Sequence, residues 1–425
     1  MSYGGFDKYV ESYKFPYNNI DQLVDVDDKP IGLIYDLYYK PKPEPFPSNL
    51  LPKIGLKNIG PTCYMNATLR SLAQIEQLVQ YFKNKQNTQI IDSSIAKCKQ
   101  NNKKSLTESF KILIDNLWPE FYNSNLKRNN NNYYYSPLDF KNKISSMNPL
   151  FQGVLANEDK DLINFIIITL HEELNVKTKL NFLNNNINIK INQNNQQLVY
   201  QQFFDAFHEE NESVISTIFF GINHTLVKCS NCFLYQHNFE VFFSLVFPLE
   251  KIRKYKLNNN DTKMNANKMF LLQNNIVDIE DGFEYNQKIE SYEGESAMYC
   301  NNCKKQAPSL FQTKLFTGPE VLIITLNRGE DNQFKIKLNF YLQLNLSHYI
   351  EDQTSGYMYD LISAIIQSDD KHLIAICKSP VDNNWYKYDD DLVNPITDFN
   401  TQVLNYAMPY ILFYKKNIKE SSINK

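Results

Sequence analysis

No apolar run of about 18 residues occurs in the chain, and no charged segment at Met1 leads into an apolar one. The expectation is therefore a soluble protein of the cytoplasm or nucleus, with no membrane partner. Neither sign of charge dominates. Lys and Arg number 44 against 47 Asp and Glu, for a net charge of −3, so no broad basic surface for nucleic acid is expected. No repeat of solenoid type is present. Cysteine is sparse and odd in number: of seven, four form two Cys-x-x-Cys pairs while Cys63, Cys98 and Cys377 are scattered. That is a poor disulfide framework and suits a reducing compartment. With six histidines, candidates for a general base are few.

What is present begins with Gly55-Leu-Lys-Asn58-Ile-Gly60-Pro-Thr-Cys63-Tyr-Met-Asn66-Ala-Thr-Leu69. Gly55, Gly60 and Pro61 break regular structure just before Cys63, and Met65, Leu69, Leu72, Ile75 and Leu78 then recur at helical spacing. A helix is expected to start at or beside Cys63, where free N–H groups and the dipole favour a thiolate. Asn58 can offer an amide to a developing oxyanion. On loop chemistry alone, two readings of Cys63 stand: nucleophile or small buried hydrophobe.

Cys229-Ser-Asn-Cys232 and Cys300-Asn-Asn-Cys303 have the spacing that lets both thiolates of a turn bind one tetrahedral ion, and two such turns point to one zinc held by four cysteines. With that shell closed, the zinc would be structural. His224 and His237, near the first pair, are not needed as ligands.

A thiol nucleophile needs an imidazole held by a third group. His171 and His208 fall in helical segments, and His348 precedes a strand end. His372 opens a strand, His372-Leu-Ile-Ala-Ile-Cys377, and the following strand Trp385-Tyr-Lys-Tyr388 ends in Asp389-Asp-Asp391. This hairpin can return an acid to the start of its partner strand, which makes His372 and Asp389 neighbours.

At 425 residues the chain can bury a large core. Residues 1–52 form an N-terminal segment in which Ile31 to Tyr39 reads as a short strand and Pro41 to Pro47 as an extended linker. Asn-rich stretches at about 123–132, 184–197 and 255–277 read as surface insertions, and 417–425 as a polar tail. Two helical cores are expected, after Cys63 and from about Glu158 to Leu174, where Leu162, Phe165, Ile166, Leu170 and Leu174 make one stripe. From about Ser216 strands dominate: Phe239–Phe247, Leu315–Leu326, Phe334–Leu346, Tyr359–Gln367, Leu373–Lys378 and Pro409–Tyr414. Helices first and strands later give an α+β pattern.

The Cys63 segment resembles the cysteine box of the ubiquitin-specific proteases, papain-like cysteine peptidases in which it reads Gly-Leu-x-Asn-x-Gly-x-Thr-Cys-Tyr-Met-Asn-x-x-Leu-Gln. Arg70 stands where the family has Gln. Tyr359-Asp-Leu361, Lys371-His372-Leu-Ile-Ala375, Trp385-Tyr-Lys-Tyr388-Asp389-Asp390 and Tyr410 to Tyr414 resemble its histidine box. The resemblance implies a helical thumb, a β-rich palm and zinc-bearing β-stranded fingers, with a catalytic domain over 53–416 and fingers at about 216–315. It implies Cys63 as nucleophile, Asn58 as oxyanion donor, His372 as base, Asp389 as its orienter and Asp390 as a second polar contributor. Glu158 and Asp161 align with acids that hold the arginine-bearing tail of ubiquitin. Lys371, in place of a glycine, would stand beside the channel for the tail's terminal glycines, while Leu373 replaces a tyrosine and Gln367 a histidine. The implied activity is hydrolysis after the C-terminal glycine of ubiquitin through a thioester, with ubiquitin or ubiquitinated proteins as partners. The alternative is a weak or inactive ubiquitin-binding scaffold of the same fold, for which Lys371 and the lost glycines argue.

Overall fold

The structure, a computed structural model, describes residues 53–119, 126–129, 132–152, 159–177, 195–258, 266–329, 333–352, 356–368, 372–404 and 408–417. Glu158, Lys371, the segment 1–52 and most of 184–197 lie outside the described residues.

The first half is built as β1 (Ile54–Leu56), α1 (Cys63–Leu72), α2 (Glu76–Lys83), α3 (Thr88–Gln100), α4 (Leu106–Leu117), β2 (Leu126–Asn129), β3 (Asn132–Tyr135), α5 (Leu138–Met147), α6 (Asp159–Leu174), α7 (Gln196–Glu210) and α8 (Val214–Phe219). Every residue of α1 after Cys63 is buried. A helix buried on all sides is central, and α1 lies between α6 and the main sheet. The apolar spacing expected to run on through Leu78 is shared by two helices. Trp118 Nε1 donates to the Ala73 carbonyl at 2.7 Å, the chain turns at Ala73–Gln74, and α2 begins at Glu76. Glu173 near the end of α6 ties the bundle together, accepting from Ser105 Oγ (2.9 Å) and from the N–H groups of Leu106 and Thr107 (both 2.8 Å) at the start of α4.

The second half is β4 (Gly221–Cys229), β5 (Tyr235–Phe242), β6 (Leu245–Pro248), α9 (Leu249–Asn258), α10 (Ala266–Gln273), β7 (Ile276–Asp278), α11 (Ile279–Asn286), β8 (Glu290–Tyr292), β9 (Met298–Cys300), β10 (Lys305–Ala307), β11 (Ser309–Thr317), β12 (Val321–Asn327), β13 (Lys337–Asn339), β14 (Gln343–Asn345), β15 (Met358–Gln367), β16 (Leu373–Lys378), β17 (Trp385–Asp389), β18 (Leu392–Ile396) and β19 (Met408–Lys416). The main sheet runs β18-β17-β16-β15-β19-β12-β6, with β14 added to β15. Its strands alternate between two cores: Ile323, Ile365, Ala375, Ile411 and Phe413 face α1 and its neighbours, while Leu322, Ile324, Ile366, Ile374 and Leu412 face the other side. Both faces are covered, so these strands read as nearly continuous apolar runs.

A second sheet, β5-β4-β11-β8, carries the β9–β10 hairpin at its end and forms the fingers. The interval between β5 and β8 leaves the fingers: β6 pairs with β12 in the main sheet, and α9 to α11 pack on its second core. The stretch 255–277, expected as an insertion, contains the end of α9, α10 and part of β7, because the Met269-Phe-Leu-Leu272 run outweighs its Asn neighbours and buries Leu272 completely. Likewise β2 and the first residue of β3 fall inside 123–132. The expected strand Leu315–Leu326 is two strands, β11 and β12, and Phe334–Leu346 contains the short β13 and β14.

Candidate active site and metal centre

Four elements converge at the start of α1. Gly55 lets the first approach occur, since a Cβ there would sit 2.6 Å from the Asp391 carbonyl oxygen. With that contact open, Leu56 N–H donates to the Asp390 carbonyl at 2.8 Å, and the loop 57–62 lies against the β17–β18 turn. Asn58 is fixed at both ends of its amide. Its Oδ1 accepts from Thr62 N (3.3 Å) and Thr62 Oγ1 (3.1 Å), and its Nδ2 donates to Asp390 Oδ2 (2.8 Å). One amide proton is left to point elsewhere.

His372 directly precedes β16, and its carbonyl accepts from Ser368 N–H (2.8 Å) and Ser368 Oγ (3.0 Å), closing the loop from β15. Strand β17 pairs with β16 and delivers Asp389 and Asp390 to that point. His372 Nε2 meets Asp389 Oδ1 at 2.8 Å and lies 3.6 Å from Asp390 Oδ2. With Nε2 engaged, Nδ1 is the nitrogen available to a thiol. Asp390 holds a left-handed backbone (φ 54°), which turns its side chain toward α1, where Asn66 Nδ2 donates to Oδ1 at 2.7 Å.

The electrostatics divide the two acids. Burial pushes Asp389 up, but Lys387, at 3.1 Å, and His372 outweigh it and hold the carboxyl below its usual range. For Asp390 burial wins over the Asn66 and Asn58 hydrogen bonds and raises the carboxyl. Cys63 departs from the sequence expectation. Burial, aided by the Asp390 charge, pushes its thiol up, although the N–H groups of Leu373, Tyr64 and Cys63 itself pull the other way. The helix start offers its N–H groups as expected, but desolvation exceeds them.

The chemistry-bearing residues expected from sequence, Asn58, His372, Asp389 and Asp390, are thus brought together around the Cys63 position. Asp161 lies in the first turn of α6, partly exposed. Sequence reasoning missed Asn66, whose place one helical turn after Cys63 was the available signal. It also missed buried Arg70, which donates from Nη2 to Tyr388 Oη at 2.9 Å and lies over that ring at 4.2 Å. Gln367 accepts from Tyr410 Oη (2.6 Å).

At the tip of the fingers the four paired cysteines form one cluster. Cys229 Sγ lies 3.9 Å from Cys303 Sγ, and Cys232 Sγ lies 3.6 Å from Cys300 Sγ. Four sulfurs about 2.3 Å from a central zinc would be about 3.8 Å apart, so the donors fit that ion. The two turns share one geometry. Phe233 N–H donates to the Cys229 carbonyl (2.9 Å) and Lys304 N–H to that of Cys300 (2.8 Å), with both Phe233 and Lys304 left-handed.

The model of the ubiquitin carboxyl-terminal hydrolase family matches residues 54–414. The chain belongs to that family. Among relatives of this chain, ubiquitin carboxyl-terminal hydrolase Usp2 of Drosophila melanogaster is 22% identical over 374 residues, 85% of this chain and 34% of that protein. Human ubiquitin carboxyl-terminal hydrolase 2 is 23% identical over 370 residues, 85% of this chain and 54% of that protein. The chain thus spans about a third to about half the length of these curated relatives. The solved structure of the SAGA Ubp8/Sgf11/Sus1/Sgf73 DUB module bound to ubiquitin aldehyde superposes with a TM-score of 0.55 at 18% identity, covering 86% of this chain and 69% of that one. This likeness establishes the fold, α+β of papain-like type with thumb, palm and fingers. No helix among the described residues is long and apolar enough to cross a membrane.

Proposed function

We propose that the chain is a thiol-dependent ubiquitinyl hydrolase, cleaving the peptide or isopeptide bond after the C-terminal glycine of ubiquitin. The observation that carries this reading is the Asp390 junction. One carboxylate receives Asn58 and Asn66 and stands beside the His372–Asp389 pair, at the foot of the helix that begins with Cys63.

Each side chain has a role. His372 Nδ1 takes the thiol proton while Asp389 holds Nε2–H and stabilises the imidazolium. Cys63 Sγ attacks the glycine carbonyl carbon. The oxygen that gains charge receives the second amide proton of Asn58 and the N–H groups at the start of α1. Because the resting thiol is raised by burial, the imidazolium formed on transfer is what makes the thiolate accessible near neutral pH. The tetrahedral adduct collapses as His372 returns the proton to the leaving lysine amine, which leaves a thioester on Cys63. Water, deprotonated by the same imidazole, then attacks the thioester carbon and releases the ubiquitin carboxylate and the thiol.

In this reading Asp161, with Glu158, holds the arginine-bearing tail of ubiquitin, and Lys371 borders the channel for its last residues. Zinc bound by Cys229, Cys232, Cys300 and Cys303 fixes the finger tip and leaves no open position for water. The working environment is the cytoplasm or nucleus, where ubiquitin conjugates and reduced thiols coexist. Steady-state hydrolysis of ubiquitin carrying a fluorogenic C-terminal amide tests the proposal. Turnover that disappears in Cys63→Ala and His372→Ala supports it, and a wild-type chain without turnover favours the inactive scaffold.

A further inference from the structure

The feature not used by the reaction above is Arg70. It is 1% exposed, and no carboxylate pairs with it among the described residues. Its shell is neutral: Tyr388 Oη accepts from Nη2, Gln74 Oε1, turned toward the guanidinium, accepts from Nε at 3.1 Å, and the rings of Tyr388 and Trp118 lie at 4.2 and 5.4 Å. A buried cation without an acid partner is costly. Nη1 has no partner in the protein.

One turn earlier on the same face of α1, Asn66 has the complementary deficit. Its Nδ2 donates to Asp390 Oδ1 and, at 3.2 Å, to the Leu56 carbonyl, while Oδ1, though buried, accepts nothing from the protein. Asn66 and Arg70, together with Leu56, Leu373 and Asp390, line one small cavity of about the size of a single water. The residue with a donor lacking an acceptor and the residue with an acceptor lacking a donor therefore line one space.

We propose that a buried water fills this cavity, accepting from Arg70 Nη1 and donating to Asn66 Oδ1, and that Arg70 is thereby a positioning residue for Asp390. The reason is the symmetry of the amide. Turned by half a revolution, Asn66 would set Oδ1 against the Asp390 carboxylate and the Leu56 carbonyl, and a donor on its other side adds to the preference for the present orientation. Arg70 supplies that donor through the water, so the N–H that pulls the Asp390 carboxyl down against its burial stays in place. The other groups around Asp390 are His372 and Asp389 from the β16–β17 hairpin, Asn58 from the loop and the Cys63 thiol.

The inference rests on the reading of Asp390 as part of the reactive site. Its test combines atomic-resolution crystal structures of the wild type, Arg70→Met and Arg70→Lys with pH profiles of kcat/KM on the fluorogenic ubiquitin substrate. The wild type should show one ordered water within hydrogen-bond distance of both Nη1 and Oδ1. In Arg70→Met the acid limb of kcat/KM should move up by roughly one pH unit, through kcat and not KM, because Asp390 loses a donor. Lysine, which keeps a charged donor, should recover most of that shift. A dry cavity in the wild-type crystal overturns the proposal. So does an Arg70→Met enzyme that keeps the wild-type pH profile and only melts earlier, the mark of a purely structural residue. The density requires no turnover, so an inactive wild type would sink the hydrolase reading while the water is still decided.

Discussion

Asp390 does more than assist His372, and its removal should show this. The carboxylate accepts two amide hydrogen bonds, from Asn58 at 2.8 Å and Asn66 at 2.7 Å. Bonds of this charge-assisted kind are worth about 1.5–3 kcal/mol each. Losing the Asn58 bond frees that amide to rotate about its Thr62 anchor, which should cost as much as losing an oxyanion donor outright, about 10²–10³ in kcat or ~2.7–4 kcal/mol. Asp390→Ala should therefore lose at least as much as Asn58→Ala, mostly in kcat. Combined, they should lose little more than Asp390→Ala alone, since that variant already removes the function of Asn58. The assay is steady-state hydrolysis of the fluorogenic ubiquitin substrate, with melting temperatures measured alongside because alanine is strained at the left-handed Asp390 position. Fully additive losses in the double variant would refute the idea that Asp390 acts by holding Asn58.

Alkylation of Cys63 by iodoacetamide should move to higher pH in His372→Ala, because burial and Asp390 raise the thiol and less thiolate is then present at any given pH; an unchanged profile would mean that the imidazole does not act on the sulfur. Cys229→Ser and Cys300→Ser should each lose the single zinc and lower the melting temperature, and full metal content in either would contradict a shared site. Glu173→Ala removes three hydrogen bonds at the start of α4 and should destabilise by about 2 kcal/mol in denaturant titration without altering probe reactivity per folded molecule. Lys371→Gly should raise kcat/KM if the lysine crowds the tail channel, a tenfold gain corresponding to ~1.4 kcal/mol; no gain would show that it is accommodated.

The local signals in the chain were strong where short-range chemistry decides. Gly60 and Pro61 before an apolar spacing placed the start of α1 at Cys63, and the polar turn before His372 together with the Asp389-Asp-Asp391 run marked a hairpin whose ends meet. The two Cys-x-x-Cys turns meet although a long stretch of chain separates them, because β4 and β11 pair in one antiparallel sheet. Long-range packing was less visible. Nothing local to Ala73 announces that Trp118 will draw its carbonyl out of the helix, and the Asn content of 255–277 hid a buried Leu272. The raised Cys63 thiol was illegible for the same reason: a helix start can be read from a loop, but the burial that opposes it is set by the packed site, and the Asp390 charge that adds to it arrives from hundreds of residues away. Asn66 and Arg70 lie in plain helical spacing, yet their meaning depends on Asp390 and Tyr388 arriving from the opposite end of the chain.

The central claim is that Cys63 is the nucleophile of a ubiquitin-cleaving site. Ubiquitin bearing a C-terminal electrophile, incubated with the full chain and mapped by mass spectrometry of the labelled peptide, tests it most directly. The account predicts one adduct, on Cys63, among the seven cysteines, absent in Cys63→Ala and strongly slowed in His372→Ala. Labelling of another cysteine, or labelling that survives Cys63→Ala, would contradict it.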